Sequence, residues 1–252
     1  LALALTRTAT AAQTVRLGLV GGIYEDFWAP AKEELAKEGI DLEFVPFTDY
    51  VTPNRALSDG DIELNAFQHD IYLQNEIKEY GYRLTTVGST FIIPLNLYSR
   101  KVKSVADLKD GDVIAIPNDP TNEGRALLLL QQEKIIRLSN PNDLEATATS
   151  VADNPHNVRL VEVEAAAVPR QLQDVNFAVI NGNYAIEAGM HASDALAVES
   201  AQGVAVQQYA NYIVTTPDKK DDERIAALVK VLTSDDFKKY LSDAYGKDVL
   251  PV

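Results

Sequence analysis

The chain has 252 residues, of which 46% are apolar and 24% are charged, a composition typical of a globular protein long enough to bury a core of its own. Its 23 basic and 37 acidic residues give a formal net charge of −14, the wrong sign for binding nucleic acid or an anionic membrane surface through a basic patch. The absence of cysteine excludes disulfides, thiolate nucleophiles and cysteine-based metal centres.

Residues 1–14 differ from the rest of the chain. An apolar start, Leu1–Leu5, is followed by small and polar residues, and Ala9-Thr10-Ala11 matches a secretory cleavage pattern. Two interpretations stay open, the end of a signal peptide or a tail outside the fold. In both, we expect the folded chain to begin at residue 15. No apolar run approaches the roughly 18 residues that span a bilayer.

The first third of the chain alternates strands with helices. Short β-branched and apolar runs predict strands, whereas apolar residues at helical spacing predict helices. The predicted strands are Val15–Val20, Asp41–Phe47 and Ile62–Phe67, and the predicted helices are Tyr24–Lys37, Pro53–Leu57 and Asp70–Tyr80. This order is typical of a largely parallel sheet with helices on its faces.

The remaining chain repeats this α/β character. Extended segments are expected at Tyr82–Phe91 and Leu95–Tyr98, strands at Val113–Ile116, Val158–Val163, Phe177–Ile180 and Asn211–Thr215, and helices at Thr121–Lys134, Asp221–Leu232 and Asp235–Tyr245. Because no long linker separates the two halves, we predict two lobes with a cleft between them. Residues 15–97 and 211–252 are expected to form one lobe and residues 98–210 the other, with crossings near Leu95–Tyr98 and Tyr209–Asn211.

The familiar catalytic and cofactor motifs are missing. His69, His156 and His191 form no metal-binding spacing. There is no G-x-S-x-G elbow and no P-loop, and the Gly18–Gly22 stretch is more typical of a tight turn than of a dinucleotide site. We therefore predict no catalytic residue, no metal and no cofactor.

The stretch Pro117–Arg125 follows a buried strand and begins a helix. Asp119 is a suitable N-cap and Pro120 a suitable first helical residue. The free N–H groups of such a helix end favour an anion, and the planar guanidinium of Arg125 can bind a carboxylate through two parallel hydrogen bonds. The alternative is an ordinary cap with an arginine at the surface.

Aromatic residues cluster where the third strand meets its helix. Phe67 and His69 share one side of the strand end, and Tyr72 lies one helical turn further on. Aromatic faces at the carboxyl end of a strand suit a flexible apolar or thioether side chain. Simple core packing explains the same spacing.

Two asparagines stand at predicted strand ends. Asn181 follows one strand and Asn211 begins the last one. Each can orient an ammonium or a carboxylate group, but each is also a common turn residue.

Together these segments resemble the MetQ/NlpA family, the substrate-binding components of bacterial methionine ABC importers. The resemblance keeps order and spacing from about Val15 to the end of the chain. The segments that carry it are Phe47–Asn54, Ala56-Leu57, Gly60–Ile62, Asn65–His69, Tyr72-Leu73, Pro117–Asn122, Gly124-Arg125, Pro169-Arg170, Ala178–Asn181, Tyr184 and Asn211.

The resemblance implies an α/β, two-lobed periplasmic-binding-protein fold, with mixed sheets flanked by helices, that closes on a free amino acid in the cleft. By position, Arg125 would hold the ligand carboxylate, and its loss would weaken binding while leaving the fold intact. Asn181 and Asn211 would fix the α-amino and carboxylate groups. The implied walls of the side-chain pocket are Tyr50, Phe67, His69, Tyr72 and Phe91.

The implied partners are L-methionine and a permease with its ATPase, and we expect a monomer outside the cytoplasm. Family members usually carry a lipidated cysteine, which this chain lacks, so membrane anchoring stays open. The ligand also stays open between L-methionine, another amino acid and a methionine-containing dipeptide. The alternative of a different class is an enzyme acting on a small amino acid, with His69 as its base and no evident nucleophile beside it.

Overall fold

The computed structural model describes residues 13–200 and 208–252. The apolar start of the chain, with its cleavage-like pattern, lies outside the described residues. The first strand begins at Gln13, two residues before the predicted start of the fold, because Gln13 already pairs with Ile40 on the neighbouring strand.

The first sheet has five strands. They are β1 (Gln13–Val20), β2 (Ile40–Phe47), β3 (Leu64–His69), β4 (Thr85–Ser89) and β13 (Asn211–Thr215). Their order across the sheet is β2-β1-β3-β13-β4. Strand β1 runs parallel to β2 and β3, whereas β13 runs antiparallel to β3 and β4.

The second sheet also has five strands. They are β6 (Asn96–Tyr98), β7 (Val113–Pro117), β10 (Arg159–Val163), β11 (Phe177–Ile180) and β12 (Ala197–Val198). Their order is β10-β7-β11-β6-β12. Four shorter strands form two separate pairs, β5 (Phe91–Ile92) with β14 (Leu250–Pro251), and β8 (Arg137–Leu138) with β9 (Val151–Asp153).

Helices flank both sheets. The described α-helices are α1 (Gly22–Lys37), α2 (Thr52–Asp59), α3 (Asp70–Tyr80), α4 (Pro120–Gln132), α5 (Val168–Gln171), α6 (Gly182–Glu187), α7 (Glu223–Leu232) and α8 (Asp235–Tyr245). Helix α1 buries one stripe of residues against the core, as a 3.6-residue period requires. Among the described helices, none has both the length and the apolar character needed to cross a membrane.

Strand β3 and helix α3 set the geometry of the site. Strand β3 begins and ends two residues later than predicted, so that His69 is its last residue and also the N-cap of α3. Helix α3 has the predicted bounds and ends at Gly81, whose φ of 71° is readily adopted only by glycine.

The chain passes from the first sheet to the second between β4 and β6, and it returns between β12 and β13. The predicted crossing at Leu95–Tyr98 overlaps β6, which pairs with β11 and β12 inside the second sheet. The first crossing therefore lies earlier in the chain than predicted, around Ile93–Leu95. The assignment of whole residue ranges to two lobes stays a proposal.

Candidate functional site

A cavity lies between elements of the two sheets. It encloses about 360 Å³ of space free of atoms, including the part open to solvent. Its lining comes from the ends of β3 and β13, the first turns of α1, α3, α4 and α6, the turn before α2 and the crossing before β6. The lining residues are Tyr24, Tyr50, Phe67, Gln68, His69, Tyr72, Ile93, Asn122, Arg125, Asn181, Gly182, Asn183 and Asn211.

Seven of the eight site residues predicted from the sequence line this cavity, and Phe91 does not. The Phe91 side chain is completely buried, with its ring centroid 5.4 Å from that of Phe27 and 5.2 Å from that of Trp28. Its strand pairs with the C-terminal β14, which holds Phe91 in this aromatic core. Ile93, two residues further along, lines the cavity instead.

The apolar wall of the cavity consists of aromatic rings that also pack on one another. The ring centroids of Tyr50, Phe67 and Tyr72 lie 5.9–6.0 Å apart in every pair. The Tyr72 hydroxyl donates to the Tyr50 carbonyl oxygen at 2.8 Å. Core packing and cavity lining are therefore properties of the same rings, and the two interpretations of their spacing do not compete.

His69 is neutral and held by two hydrogen bonds. Its Nδ1 accepts from the Tyr72 backbone N–H at 3.0 Å, so the proton sits on Nε2, which lies 3.0 Å from Asn122 Oδ1. Burial and the charge of Arg125 lower the pKa of His69 to about 3, against the opposing effect of the Asn122 hydrogen bond. A histidine this weakly basic and committed to a helix cap does not have the properties of a general base.

Arg125 is not a surface residue, because only 4% of it is exposed. Its Nε and Nη2 donate to the two carboxylate oxygens of Glu199 at 2.7 and 2.6 Å. Nη2 also donates to the Ile93 carbonyl oxygen at 3.2 Å. The Tyr209 ring lies over the guanidinium, 4.3 Å from its carbon. The fork expected to bind a ligand carboxylate is thus occupied by Glu199, and no described residue accepts from Nη1.

Burial and charge act in opposite directions on Arg125. Burial lowers the pKa of the guanidinium, but the carboxylate of Glu199 outweighs this and leaves the pKa raised. Arg125 therefore keeps its positive charge inside the protein.

Two amide atoms that face no protein partner lie among the cavity residues. Asn181 Oδ1 and Asn183 Nδ2 are buried and unpaired within the described ranges. The other end of the Asn183 amide accepts from the Tyr50 hydroxyl, and Asn211 Oδ1 accepts from Tyr24 at 2.8 Å. Because buried polar atoms are normally hydrogen-bonded, an unpaired acceptor and an unpaired donor in one cavity are features of a polar binding site.

Buried amides support the strand that carries the aromatic wall. Gln68 Nε2 donates to Asn54 Oδ1 at 2.7 Å and to Asn65 Oδ1 at 2.9 Å. Asn54 Nδ2 donates back to Gln68 Oε1 at 2.9 Å, and Asn65 Nδ2 donates to Asn54 Oδ1 at 3.0 Å. These three side chains hold one another in fixed orientations at the end of β3.

Contacts also join the elements on the two sides of the cavity. The Tyr50–Asn183 and His69–Asn122 hydrogen bonds cross it, and the Tyr184 hydroxyl donates to the Thr48 carbonyl oxygen at 3.3 Å. No cluster of three or more acidic or histidine side chains that could hold a metal ion occurs in the part of the chain that the structure describes.

Several lining residues escaped the sequence analysis. Asn122 belongs to the helix start already noted, and Asn183 follows Asn181 by two residues, so both lay close to a predicted position. Tyr24 gave no local signal, because its partner Asn211 is distant in the sequence. The same holds for Glu199, which does not line the cavity but binds the lining residue Arg125.

Comparison with known families matches residues 15–252 to the family model described as NlpA lipoprotein. A curated relative, the D-methionine-binding lipoprotein MetQ of Escherichia coli strain K12, is 43% identical over 227 residues. The matched region covers 88% of this chain and 82% of that protein.

Solved structures share the fold at similar levels of identity. A nutrient binding protein from Burkholderia cenocepacia bound to methionine has a TM-score of 0.88 and 38% identity, covering 94% of this chain and 99% of that chain. The substrate binding protein of a methionine transporter from Streptococcus pneumoniae has a TM-score of 0.89 and 35% identity, covering 95% of each chain. The predicted α/β fold of a two-lobed binding protein is confirmed.

Proposed function

Because the chain belongs to the NlpA lipoprotein family, we propose that it is a substrate-binding protein that captures L-methionine and delivers it to the permease of an ABC transporter. The relatives carry names that state methionine binding, and one neighbouring structure holds methionine. The same relatives are named as binding proteins, which supports a carrier that returns its ligand unchanged.

The observation that carries the proposal is the pairing of an aromatic wall with unpaired polar atoms in one cavity. Arg125 Nη1 and Asn183 Nδ2 are donors that suit a carboxylate, and Asn181 Oδ1 is an acceptor that suits an ammonium. Asn211, whose Oδ1 is held by Tyr24, has its Nδ2 left to donate to the carboxylate. These groups match the zwitterionic end of an α-amino acid.

The apolar end of the ligand would lie against Tyr50, Phe67 and Tyr72. A thioether makes favourable contacts with aromatic rings, worth about 0.3–1.5 kcal/mol. Burial of the methionine side chain adds an apolar contribution that glycine lacks. These two effects support methionine over smaller amino acids.

Delivery to a permease and its ATPase, a location outside the cytoplasm and a monomeric state are parts of the same proposal. Delivery and location are supported by the family and by a relative named as part of a methionine transporter, whereas the monomeric state is proposed without support from those names.

Calorimetry with L-methionine, D-methionine, glycine and a methionine-containing dipeptide tests the ligand. Phe67→Ala and Tyr72→Ala should each weaken L-methionine by about 1–3 kcal/mol through lost apolar contact. Tyr80→Ala is the matched control, because Tyr80 is 51% exposed and outside the cavity. Mass spectrometry of the ligand recovered after binding should return methionine unchanged.

A protein that binds none of the methionine compounds, or that converts them, would contradict this function. If Phe67→Ala and Tyr72→Ala bind as well as Tyr80→Ala does, the rings serve packing alone.

A further inference from the structure

Glu199 joins three parts of the molecule at the edge of the cavity. Its carboxylate binds Arg125 through two hydrogen bonds, and its Oε2 also accepts from the Leu95 backbone N–H at 3.1 Å. The Glu199 N–H donates to the Leu95 carbonyl oxygen at 3.2 Å. Arg125 in turn binds the carbonyl oxygen of Ile93. One carboxylate therefore links the chain leaving the second sheet, the first crossing and the arginine of the cavity.

This contact compensates the one charge that lines the cavity. Arg125 is the one charged residue among the described residues that line the cavity, since His69 is neutral. The Glu199 side chain is only 13% exposed, so little solvent separates its charge from that of the arginine. Arg125 and Glu199 together carry a formal charge of zero.

The contact also fixes which nitrogen remains for a ligand. With Nε and Nη2 bound to Glu199, and Nη2 bound to Ile93 as well, the guanidinium cannot rotate without breaking three hydrogen bonds. Nη1 is the nitrogen left to donate. A ligand carboxylate would thus meet a single fixed donor of Arg125 and would need further donors from the asparagines.

We propose that Glu199 is a positioning and selectivity residue: it orients Arg125 and cancels its charge, so that the cavity prefers an amino acid of zero net charge to related anions and cations. This inference rests on the proposed function and names the charge class of its ligand. A cavity with an uncompensated arginine would favour an anion, because charges interact strongly at buried sites. With Glu199 in place, its negative charge offsets that of Arg125, so the ligand ammonium is not repelled by the arginine. The anion gains no net attraction from the pair, and the cavity therefore discriminates against it.

Binding of three related compounds to the parent and to Glu199→Gln tests the inference. The compounds are L-methionine, its deaminated analogue methylthiobutanoate, which is an anion, and the amino alcohol methioninol, which is a cation. Glutamine keeps the size and one acceptor oxygen of Glu199 but removes the charge. The ratio of the Kd for the anion to the Kd for methionine should fall by about tenfold or more in Glu199→Gln. The cation should bind worse to this variant than to the parent.

Glu187→Gln is the matched control. It makes the same change of net charge at a residue that contacts the Gly22 N–H and does not line the cavity, and its Kd ratio should equal that of the parent. Glu199→Asp, which keeps the charge, should also keep the parent's ratio even if both affinities fall. A role of Glu199 in folding alone would weaken all three compounds by one common factor, and an unchanged ratio in Glu199→Gln would overturn the inference.

A measurement on the parent protein keeps the inference testable if Glu199→Gln does not fold, as judged by its circular dichroism. The neutral cavity predicts that the parent binds methionine more tightly than the anion, and that the affinity for the anion changes little between low and high salt. Tighter binding of the anion, or a steep loss of its affinity with salt, would overturn the inference. No methionine binding by the parent would instead refute the proposed function itself.

Discussion

Replacing Arg125 separates what this residue does for folding from what it does for the ligand. Alanine would leave the Glu199 carboxylate, whose side chain is only 13% exposed, without its charged partner. Removing one member of such a pair costs about 3–5 kcal/mol of unfolding free energy. The sequence-based expectation that Arg125→Ala leaves the fold intact is therefore revised, because the expectation did not include a largely shielded carboxylate beside the arginine.

The expected loss of affinity has a separate origin. The ligand carboxylate would lose the donor Nη1 and the only positive charge of the described cavity lining. Such a loss amounts to about 2–5 kcal/mol, which is about 30-fold to about 4,000-fold in Kd. Arg125→Lys should recover only part of it, because an ammonium cannot hold Glu199 and the ligand with the same fixed geometry.

The double variant Arg125→Met with Glu199→Gln distinguishes the two effects. It removes both charges at once, so its unfolding free energy should return most of the way to the parent value. Its affinity for methionine should stay low. Urea unfolding and calorimetry on the parent, Arg125→Ala and the double variant provide both quantities. Binding by the double variant within a factor of a few of the parent would refute the assigned role of Arg125.

Three further changes test other parts of the site. Tyr50→Phe removes the hydroxyl bonded to Asn183. The amide left unpaired should lower the unfolding free energy by about 1–3 kcal/mol and weaken the binding of methionine, and an unchanged melting temperature and affinity would contradict this. His69→Asn keeps an acceptor for the helix cap but cannot titrate. Because the pKa of His69 is lowered to about 3, the contribution of its neutral form is complete above about pH 6.5. Between about pH 6.5 and about pH 3 the parent should lose about 1.4 kcal/mol per pH unit relative to the variant. Urea unfolding at several pH values measures this difference, and a constant difference would show that His69 is not held neutral. Gly182→Ala would place its Cβ against the Ile93 side chain and should cost about 1–3 kcal/mol, part of which Ile93→Ala in the same chain should restore in thermal melting.

The elements predicted well from the sequence are those with a clear period and a marked end. Helix α3 has apolar spacing and a terminal glycine, and its bounds agree with the prediction, as do those of β11, β13 and α8. The two-residue strands β5, β8, β12 and β14 were not predicted as strands of their own, because two residues cannot display a period and their pairing depends on distant segments.

The site residues also fall into two groups, those marked by their own sequence neighbourhood and those recognised only through a distant partner. Arg125, Asn181 and Asn211 stand at element ends, where the sequence marks them, and all three line the cavity. Glu199 lies 74 residues from Arg125 in a polar segment, and nothing in its own neighbourhood distinguishes it from a surface glutamate. Phe91 was misplaced because an aromatic residue next to a predicted crossing fits a pocket wall as well as a core.

The amide triad of Asn54, Asn65 and Gln68 has a consequence for the kinetics of ligand exchange. Each of these side chains already has partners within the triad, so we expect the triad itself to lose little rotamer freedom on binding, a loss that otherwise costs about 0.5–1.5 kcal/mol per side chain. We therefore expect the side of the cavity formed by β3 to keep its conformation when the ligand binds or leaves. The opposite side of the cavity contains Asn181 and Asn183, which still have unpaired atoms, so we expect entry and escape of the ligand to depend more on displacement of that side. We therefore expect the second sheet and its helices to set the residence time of the ligand, and the first sheet to set the shape into which the ligand fits.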